Sequence, residues 1–348
     1  QMCIRDRYIG IIGGTGTIGS IIVKYLLQLQ THFHVLIGGR RSIKEISMST
    51  FYNSERLKYN QMNYNNDVEL DNFCSQCLLV INAVGPSFKI NDKIALHALR
   101  NNCHYIDIGG YGILRDLLKP YEKSIEAQKL CFIIGVGWMP GISGVFSKTI
   151  IETHLNSPEN TNFNIYYGAV DNWSYSSTYD LAASSMGKTR SYVYSHGKEI
   201  QVSPFRYTHH KFFPFIGHKK ICMPSFDEQL TQLATSLKQI RKISTFIMLN
   251  DYISMGKFMF IKIFYKHNLN KATLMLQDDY QRLVKKENKW GSVICQVSKI
   301  EPERKIDTFY YLYTKNNLLY TALPAVITTQ YILEGKTKIG LNLSLIHI

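Results

Sequence analysis

Eight residues, Gly13-Gly14-Thr15-Gly16-Thr17-Ile18-Gly19-Ser20, stand between the apolar run "YIGII" and the helix-spaced run "IIVKYLL". Few folds accept that order: a strand must end in a tight turn, and a helix must begin directly after it. The spacing Gly14-x-Gly16-x-x-Gly19 matches the dinucleotide fingerprint G-x-G-x-x-G in the strand–turn–helix context that gives the pattern meaning. Gly14 is expected to permit the sharp turn, Gly16 to let the backbone approach a pyrophosphate, and Gly19 to let helix and strand pack closely. The helix N-terminus offers unpaired N–H groups and a partial positive charge to phosphate. Thr15, Thr17 and Ile18 complete the expected contacts, and a glycine turn without a ligand is the rival reading.

Which dinucleotide is expected depends on the end of the second strand, "FHVLIGGRR". A site for NAD wants an acid there, to bind the ribose 2′-hydroxyl. This chain has Gly38-Gly39-Arg40-Arg41-Ser42, and the nearest acid is Glu45, a turn further on. A guanidinium can hold a 2′-phosphate bidentately where a carboxylate would repel it. The residue types select NADP(H), with Arg40, Arg41 and Ser42 as the expected grip.

Further on, "CLLVINAVGP" (77–86), "HYIDIGG" (104–110) and "CFIIGVGW" (131–138) are continuous apolar strands separated by helical stretches. That alternation predicts an α/β domain with a doubly wound parallel sheet covered on both faces. Ligands bind such sheets at the carboxyl ends of the strands. Asn82, Ala83, Val84 and Gly85 are therefore the expected neighbours of the ribose and nicotinamide. Asp107 is the only acid in its strand, and reads equally as a satisfied structural carboxylate or as part of the site.

From about residue 146 the pattern changes. The stretches 162–170 and 189–202 read as sheet, the second as a hairpin around Gly197-Lys198, and "WGSVICQVSKI" with "KIDTFYYLYT" reads as another hairpin. The expected organisation is a nucleotide domain over 8–145, an inserted α+β substrate domain over 146–315, and a C-terminal helix over 316–342 that returns to the first domain. Residues 1–7 and 343–348 are set aside. DNA encoding Met2–Asp6 has a reverse complement that, read one base in, encodes Ser344–Ile348, as a sequencing tag translated in both orientations would.

The chain carries a net charge of +14. Thirteen cations between Lys188 and Lys266 face only Glu199, Asp227, Glu228 and Asp251. No helix-turn-helix, finger or aromatic single-strand motif accompanies them, so nucleic acid is not the expected partner. A solvated basic face is the plain reading, and a field that draws in an acidic small molecule is the sharper one. His209, His210 and Lys211 are read as an exposed loop that could hold an acidic group. Cys74-Ser-Gln-Cys77 has redox or metal spacing but no second pair, and reads as buried reduced thiols. The apolar run 243–266 is broken by Asn250, Asp251, Lys257 and Lys262. It is expected to be a helix buried between domains, with an in-plane membrane helix as the lesser reading. The matches Tyr207-x-x-x-Lys211 and Tyr311-x-x-x-Lys315 lie outside any helical pattern and read as chance.

The motifs "IGGTGTIGS", "IGGRR", "VINAVGP", "YIDIGG", "GWMPGISG" and "LPAVITTQYILEGK" together resemble the saccharopine dehydrogenase-like family of NADP-binding oxidoreductases. The resemblance covers the first 145 residues and the C-terminal helix, and is only architectural over 160–315. It implies a Rossmann domain with an inserted α+β domain, and hydride transfer between NADP(H) and a C–N bond of an amino/keto-acid-derived substrate. Some relatives are enoyl reductases acting on lipid chains. The family's acid before Pro-Gly is replaced here by Met139. Imine reduction needs a group that keeps the nitrogen protonated, and Asp107 and Tyr111 are the best-placed candidates. A lipid-directed enoyl reductase and a non-catalytic NADPH sensor are the alternatives. The expected setting is cytoplasmic, with a small acidic substrate, no metal, and a homodimer as a compatible assembly.

Overall fold

Apolar runs alternating with helices over the first 142 residues become parallel strands in the computed structural model, which describes residues 7–29, 32–42, 54–109, 112–155, 158–186, 191–226, 228–265 and 267–343. The chain divides into two units, one made of Gln1–Ile142 with Leu318–Ile348, the other of Ser143–Asn317.

In the first unit the strands are β1 (Tyr8–Ile12), β2 (Val35–Gly39), β3 (Leu57–Gln61), β4 (Cys77–Asn82), β5 (His104–Asp107) and β6 (Cys131–Ile134). With the C-terminal strand Gly340–Leu343 they form one sheet, ordered C-terminal strand-β6-β5-β4-β1-β2-β3. Every pairing in it is parallel. Because side chains alternate across a strand, the apolar runs feed two separate cores. Ile9, Ile11, Val35, Ile37, Leu79, Ile81 and Ile106 pack with Ile22, Val23 and Leu26 of the helix Thr17–Gln28, and with Ala322, Ala325 and Val326 of the helix Asn317–Leu333. On the other face Ile12, Leu36, Val80, Tyr105 and Phe132 meet Leu70 and Phe73 of the helix Asp67–Cys74 and Ile94 and Ala98 of the helix Lys93–Arg100. Gly10 lets Phe73 close on the sheet, since a Cβ there would stand 2.8 Å from its ring.

The doubly wound parallel sheet is thus as expected, but the C-terminal stretch is not all helix. After Leu333 and a turn at Gly335, Gly340–Leu343 adds an edge strand, with Leu343 opposite Ile134. Residue 343, set aside on sequence grounds, is part of the sheet. Residues 1–6 and 344–348 lie outside the described residues.

The second unit holds a mixed sheet of β7 (Thr161–Val170), β8 (Tyr192–Ser195), β9 (Lys198–Gln201), β10 (His209–Phe213), β11 (His218–Pro224), β12 (Lys242–Leu249), β13 (Trp290–Ile300) and β14 (Lys305–Thr314). Its order is β10-β11-β12-β7-β13-β14, with β8 pairing β12 and β9. Only β12 with β7 is parallel. Both expected hairpins form, β8–β9 and β13–β14. The stretch 243–266 is not one helix. Its β-branched start, "ISTF", lies in β12, and Asn250-Asp251 breaks the run before the helix Tyr252–Phe264. Among the described residues no helix is long and apolar enough to cross a membrane.

Candidate dinucleotide site

The turn after β1 is built as the motif requires, with one change of role. Gly13, rather than Gly14, has the left-handed backbone, at φ +84°. The ladder explains the shift. Gly13 N–H still donates to Gly38 O at 2.9 Å, so the chain must reverse at that residue. A Cβ on Gly13 would stand 2.8 Å from Val84 Cγ2 and 3.0 Å from the Ala83 carbonyl carbon. Gly14 serves close packing, its missing Cβ leaving room for Ile37 Cγ2 at 2.8 Å. Gly19 has the expected task, since a Cβ there would fall 2.2 Å from Gly13 O.

Gly16 is the N-cap of the helix Thr17–Gln28. No side chain caps that end, and no acid occupies its first turn. The first N–H groups of a helix lack intrahelical acceptors, so this terminus keeps its donors and its positive dipole end for an anion. Thr15, Gly16 and Ile18 are half-buried and Thr17 is exposed. The shape and charge of this cradle fit a pyrophosphate.

Arg40 and Arg41 follow β2, and both are exposed. Their backbone is tied to the neighbouring strand: Tyr59 Oη donates to Arg41 O at 2.5 Å, and Gln61 Nε2 to Arg40 O at 3.4 Å. A Cβ on Gly39 would lie 3.5 Å from Thr15 Oγ1, which sets the arginine loop beside the glycine turn. Ser42 follows, half-buried. Sequence reading missed Tyr59 and Gln61 because β3 is half-exposed and carries little apolar signal.

At the ends of β4 and β5 a buried polar chain appears. Asn82 and Asp107 are both 2% exposed and stand opposite each other in the ladder. Asp107 Oδ2 accepts from Asn82 Nδ2 at 2.8 Å and from Tyr105 Oη at 2.6 Å. Asn82 Oδ1 accepts the Val84 N–H at 3.0 Å, and Ala83 N–H donates to Ile12 O at 2.9 Å. Burial, reinforced by the Asp107 charge, drives the Tyr105 phenol well above its ordinary pKa, so it stays a donor. The Asp107 carboxylate therefore fixes Asn82, and through it the Ala83–Gly85 loop against Gly13. Tyr105 was missed on sequence. The available signal was its i, i+2 relation to a buried acid on the same strand face.

Ser87 begins a short helix, Ser87–Ile90, and a Cβ on Gly109 would come within 2.0 Å of its Oγ. Asn82, Asp107 and Ser87, with Ile113 and Leu114, line a narrow crevice at these strand ends. The structure so brings together the glycine turn, Ala83, Val84, Asn82 and Asp107. Tyr111 lies outside the described residues. His209 and Lys211, expected in a loop, are in strand β10 of the second unit.

The cysteine pair is structural. Cys74, Cys77 and Cys103 are buried and free, and Cys103 Sγ donates to Cys74 O at 3.1 Å and to Cys77 O at 3.2 Å. Burial pushes all three thiols up, Cys103 to about 12. No metal-ligating cluster occurs among the described residues.

A parallel sheet with an uncapped helix after a glycine turn, and with polar loops gathered at its carboxyl ends, defines a dinucleotide-binding domain of the Rossmann class. The particular kind follows from comparison. Residues 9–131 match the family model described as the saccharopine dehydrogenase NADP binding domain, so the first unit carries an NADP-binding domain of that type. An apo histidine-tagged saccharopine dehydrogenase (L-Glu forming) from Saccharomyces cerevisiae shares the fold, with a TM-score of 0.67 at 15% identity over 97% of this chain and 94% of that one. C. glutamicum DAP dehydrogenase in complex with DAP gives a TM-score of 0.49 at 9% identity, over 98% and 93%. A short-chain dehydrogenase/reductase from Veillonella parvula DSM 2008 in complex with NADP gives 0.26 at 22%, over 29% and 46%. No curated protein sequence matches the chain.

Proposed function

We propose that the chain is an NADP(H)-dependent oxidoreductase that transfers a hydride to or from a C–N bond in a substrate derived from an amino acid and a keto acid. The observation that carries this reading is the match of residues 9–131 to an NADP-binding domain of saccharopine dehydrogenase type. Bound there, the nicotinamide supplies or accepts the hydride. The chain's own residues bind, orient and manage a proton. The N–H groups at the start of the helix Thr17–Gln28, approached over Gly16, hold the pyrophosphate, and Arg40, Arg41 and Ser42 hold the 2′-phosphate. Ala83, Val84 and Gly85 flank the ribose and nicotinamide.

Asp107 is 2% exposed and already accepts from two side chains, which suits a positioning residue for the Asn82 loop better than a proton donor. Tyr111 is then the residue proposed to keep a proton at the substrate nitrogen. The deciding measurement is NADPH consumption against pairs of amino and keto acids, with enoyl thioesters as a separate arm. Turnover on an amino/keto pair, lost in Tyr111→Phe with NADPH affinity retained, is the expected result. Turnover on the thioesters alone would make the protein a lipid-directed reductase. Tight NADPH binding without any turnover would make it a sensor.

A further inference from the structure

The helix Tyr252–Phe264 carries apolar side chains all round its axis, a pattern that suits a helix covered on every side. Only one side of it is covered. Phe258 and Ile261 pack with Met223 of β11 and with Ala272 and Leu276 of the helix Leu269–Lys286. At about 100° per residue, Tyr252, Ile263, Gly256, Phe260, Ile253 and Phe264 fall in that order within a single arc of about 120°. The five large side chains of the arc are 41–65% exposed, and no charged residue lies within it. A Cβ on Gly256, near its middle, would meet nothing within 4 Å. No described residue therefore overlies the stripe.

The bare face continues onto β10, where His210 Nε2 and Tyr252 Oη are hydrogen-bonded at 2.8 Å. Alternate residues of a strand share a face, so the exposed Phe212 stands on the same side as His210. Its register partner on β11 is Lys219, which is exposed. On the helix Leu269–Lys286 the exposed line runs Lys271, Leu274, Asp278, Gln281, Lys285. Charge around the stripe is of one sign. The two helices and the β10–β11 hairpin hold only two acids, and both are paired: Asp278 with Lys257 at 2.6 Å, and Asp279 with Arg282 at 2.9 Å. Asp251, just before the stripe, is taken by Arg282. Among the described residues Lys219, Lys271 and Lys285 have no carboxylate within 4 Å. An exposed apolar face of this kind marks a docking surface, and its unmatched cations call for an anionic partner.

We propose that this face rests on an anionic lipid bilayer. Thirteen residues of helix span about 20 Å, short of the roughly 30 Å hydrocarbon core, so the helix lies in the plane of the membrane surface. Its apolar arc enters the boundary between headgroups and acyl chains, and Lys219, Lys271 and Lys285 meet the lipid phosphates and carboxylates. A second copy of the chain fits the face less well. Two-fold pairing sets the same patch against itself, and the cations bordering the stripe would then oppose one another with no acid between them. Membrane docking is independent of the oxidoreductase reading, since it rests on the second unit alone.

The test is flotation of the full chain with vesicles of phosphatidylcholine alone, and with about one quarter of it replaced by phosphatidylserine. Binding is expected to the charged vesicles only, and to weaken as salt rises. Ile263→Ser and Phe264→Ser each remove an apolar side chain that water already reaches, so the fold survives, and each is expected to weaken binding by about tenfold. Lys219→Gln and Lys271→Gln are each expected to weaken it by about fivefold. Phe264→Trp gives a readout that needs no loss of binding: its emission should shift to the blue on the charged vesicles and stay put on the uncharged ones. Binding unmoved by all four polar substitutions, equal binding to uncharged vesicles, or no binding to either would each overturn the proposal. So would a wild-type dimer, seen by sedimentation, that Ile263→Ser and Phe264→Ser dissociate, because a second copy would then cover the face.

Discussion

At the scale of single residues, the proposed choice of cofactor rests on two adjacent guanidiniums. Arg40 and Arg41 stand at the end of β2, where an acid would select the other dinucleotide, and their backbone is held by Tyr59 and Gln61. A charge-assisted hydrogen bond is worth about 1.5–3 kcal/mol, roughly ten- to a hundredfold in affinity. Arg40→Ala is therefore expected to raise the KM for NADPH by that factor and leave the KM for NADH unchanged; equal loss on both would refute the assignment. Asp107 makes a different prediction. In Asp107→Asn the amide oxygen can still take both Asn82 Nδ2 and Tyr105 Oη, as Oδ2 does now, but the charge that strengthens both bonds is lost and an NH2 donor replaces Oδ1 in a buried position. Leaving one buried donor unsatisfied costs about 1–3 kcal/mol. The variant should melt earlier and bind NADPH more weakly; wild-type thermal stability would show that the carboxylate is no anchor. The glycine spacing and the arginine pair were legible because each is a short local pattern whose residue types suit a phosphate. The strained glycine was not, since the ladder bond of Gly13 to Gly38 places the reversal, and the pattern Gly-Gly-Thr-Gly leaves two candidates.

At the scale of elements, the stretch 243–266 shows where periodicity fails. A short apolar run serves a buried strand or a helix equally well, and the arbiter here was polar. Asp251 caps the helix Tyr252–Phe264, with Oδ1 accepting the Ser254 N–H at 2.9 Å. It also takes both Nη atoms of Arg282, at 2.8 and 3.0 Å, from the helix Leu269–Lys286. Burial alone would raise its pKa, but the Arg282 hydrogen bonds and Ser254 outweigh it and hold the carboxyl at about 2, against 3.8 unperturbed. A depressed carboxylate stabilises the fold above its unfolded pKa, and loses that contribution as pH falls through the folded value. The stability of the second unit should therefore decline from about pH 4 toward pH 2, followed by circular dichroism. Asp251→Ala should cost about 2–3 kcal/mol, from the lost cap and a partly buried pair. Asp251→Asn keeps the cap, so it should cost less and flatten the acid decline. An unchanged acid transition in both variants would deny Asp251 this role.

Across the whole molecule, legibility follows contact range. The parallel sheet of the first unit is written as separate apolar strands with helices between them, so β1, β2, β4, β5 and β6 could be read one by one, while the half-exposed β3 and the order of the strands could not. The strand Gly340–Leu343 escaped because four residues pairing with β6 from two hundred positions away leave no local period. The second unit was read only in β7 and its two hairpins. Half of the residues in its β10–β11 strands are polar, and the curl of the sheet that sets Lys211 of β10 4.8 Å from the Phe309 ring on β14 belongs to no single segment. The two units should consequently answer a ligand separately. NADP+ at about a hundredfold its Kd stabilises whatever binds it by about 2.7 kcal/mol. In hydrogen exchange on the full chain, the added protection should concentrate in the first unit, at residues 13–19 and 82–85 and in the strands β1, β2 and β4. Local openings set exchange rates, so the glycine turn and the Ala83–Gly85 loop should slow most, and Arg40→Ala should erase most of the slowing at a fixed NADP+ concentration. Protection confined to the second unit would move the coenzyme off the glycine turn.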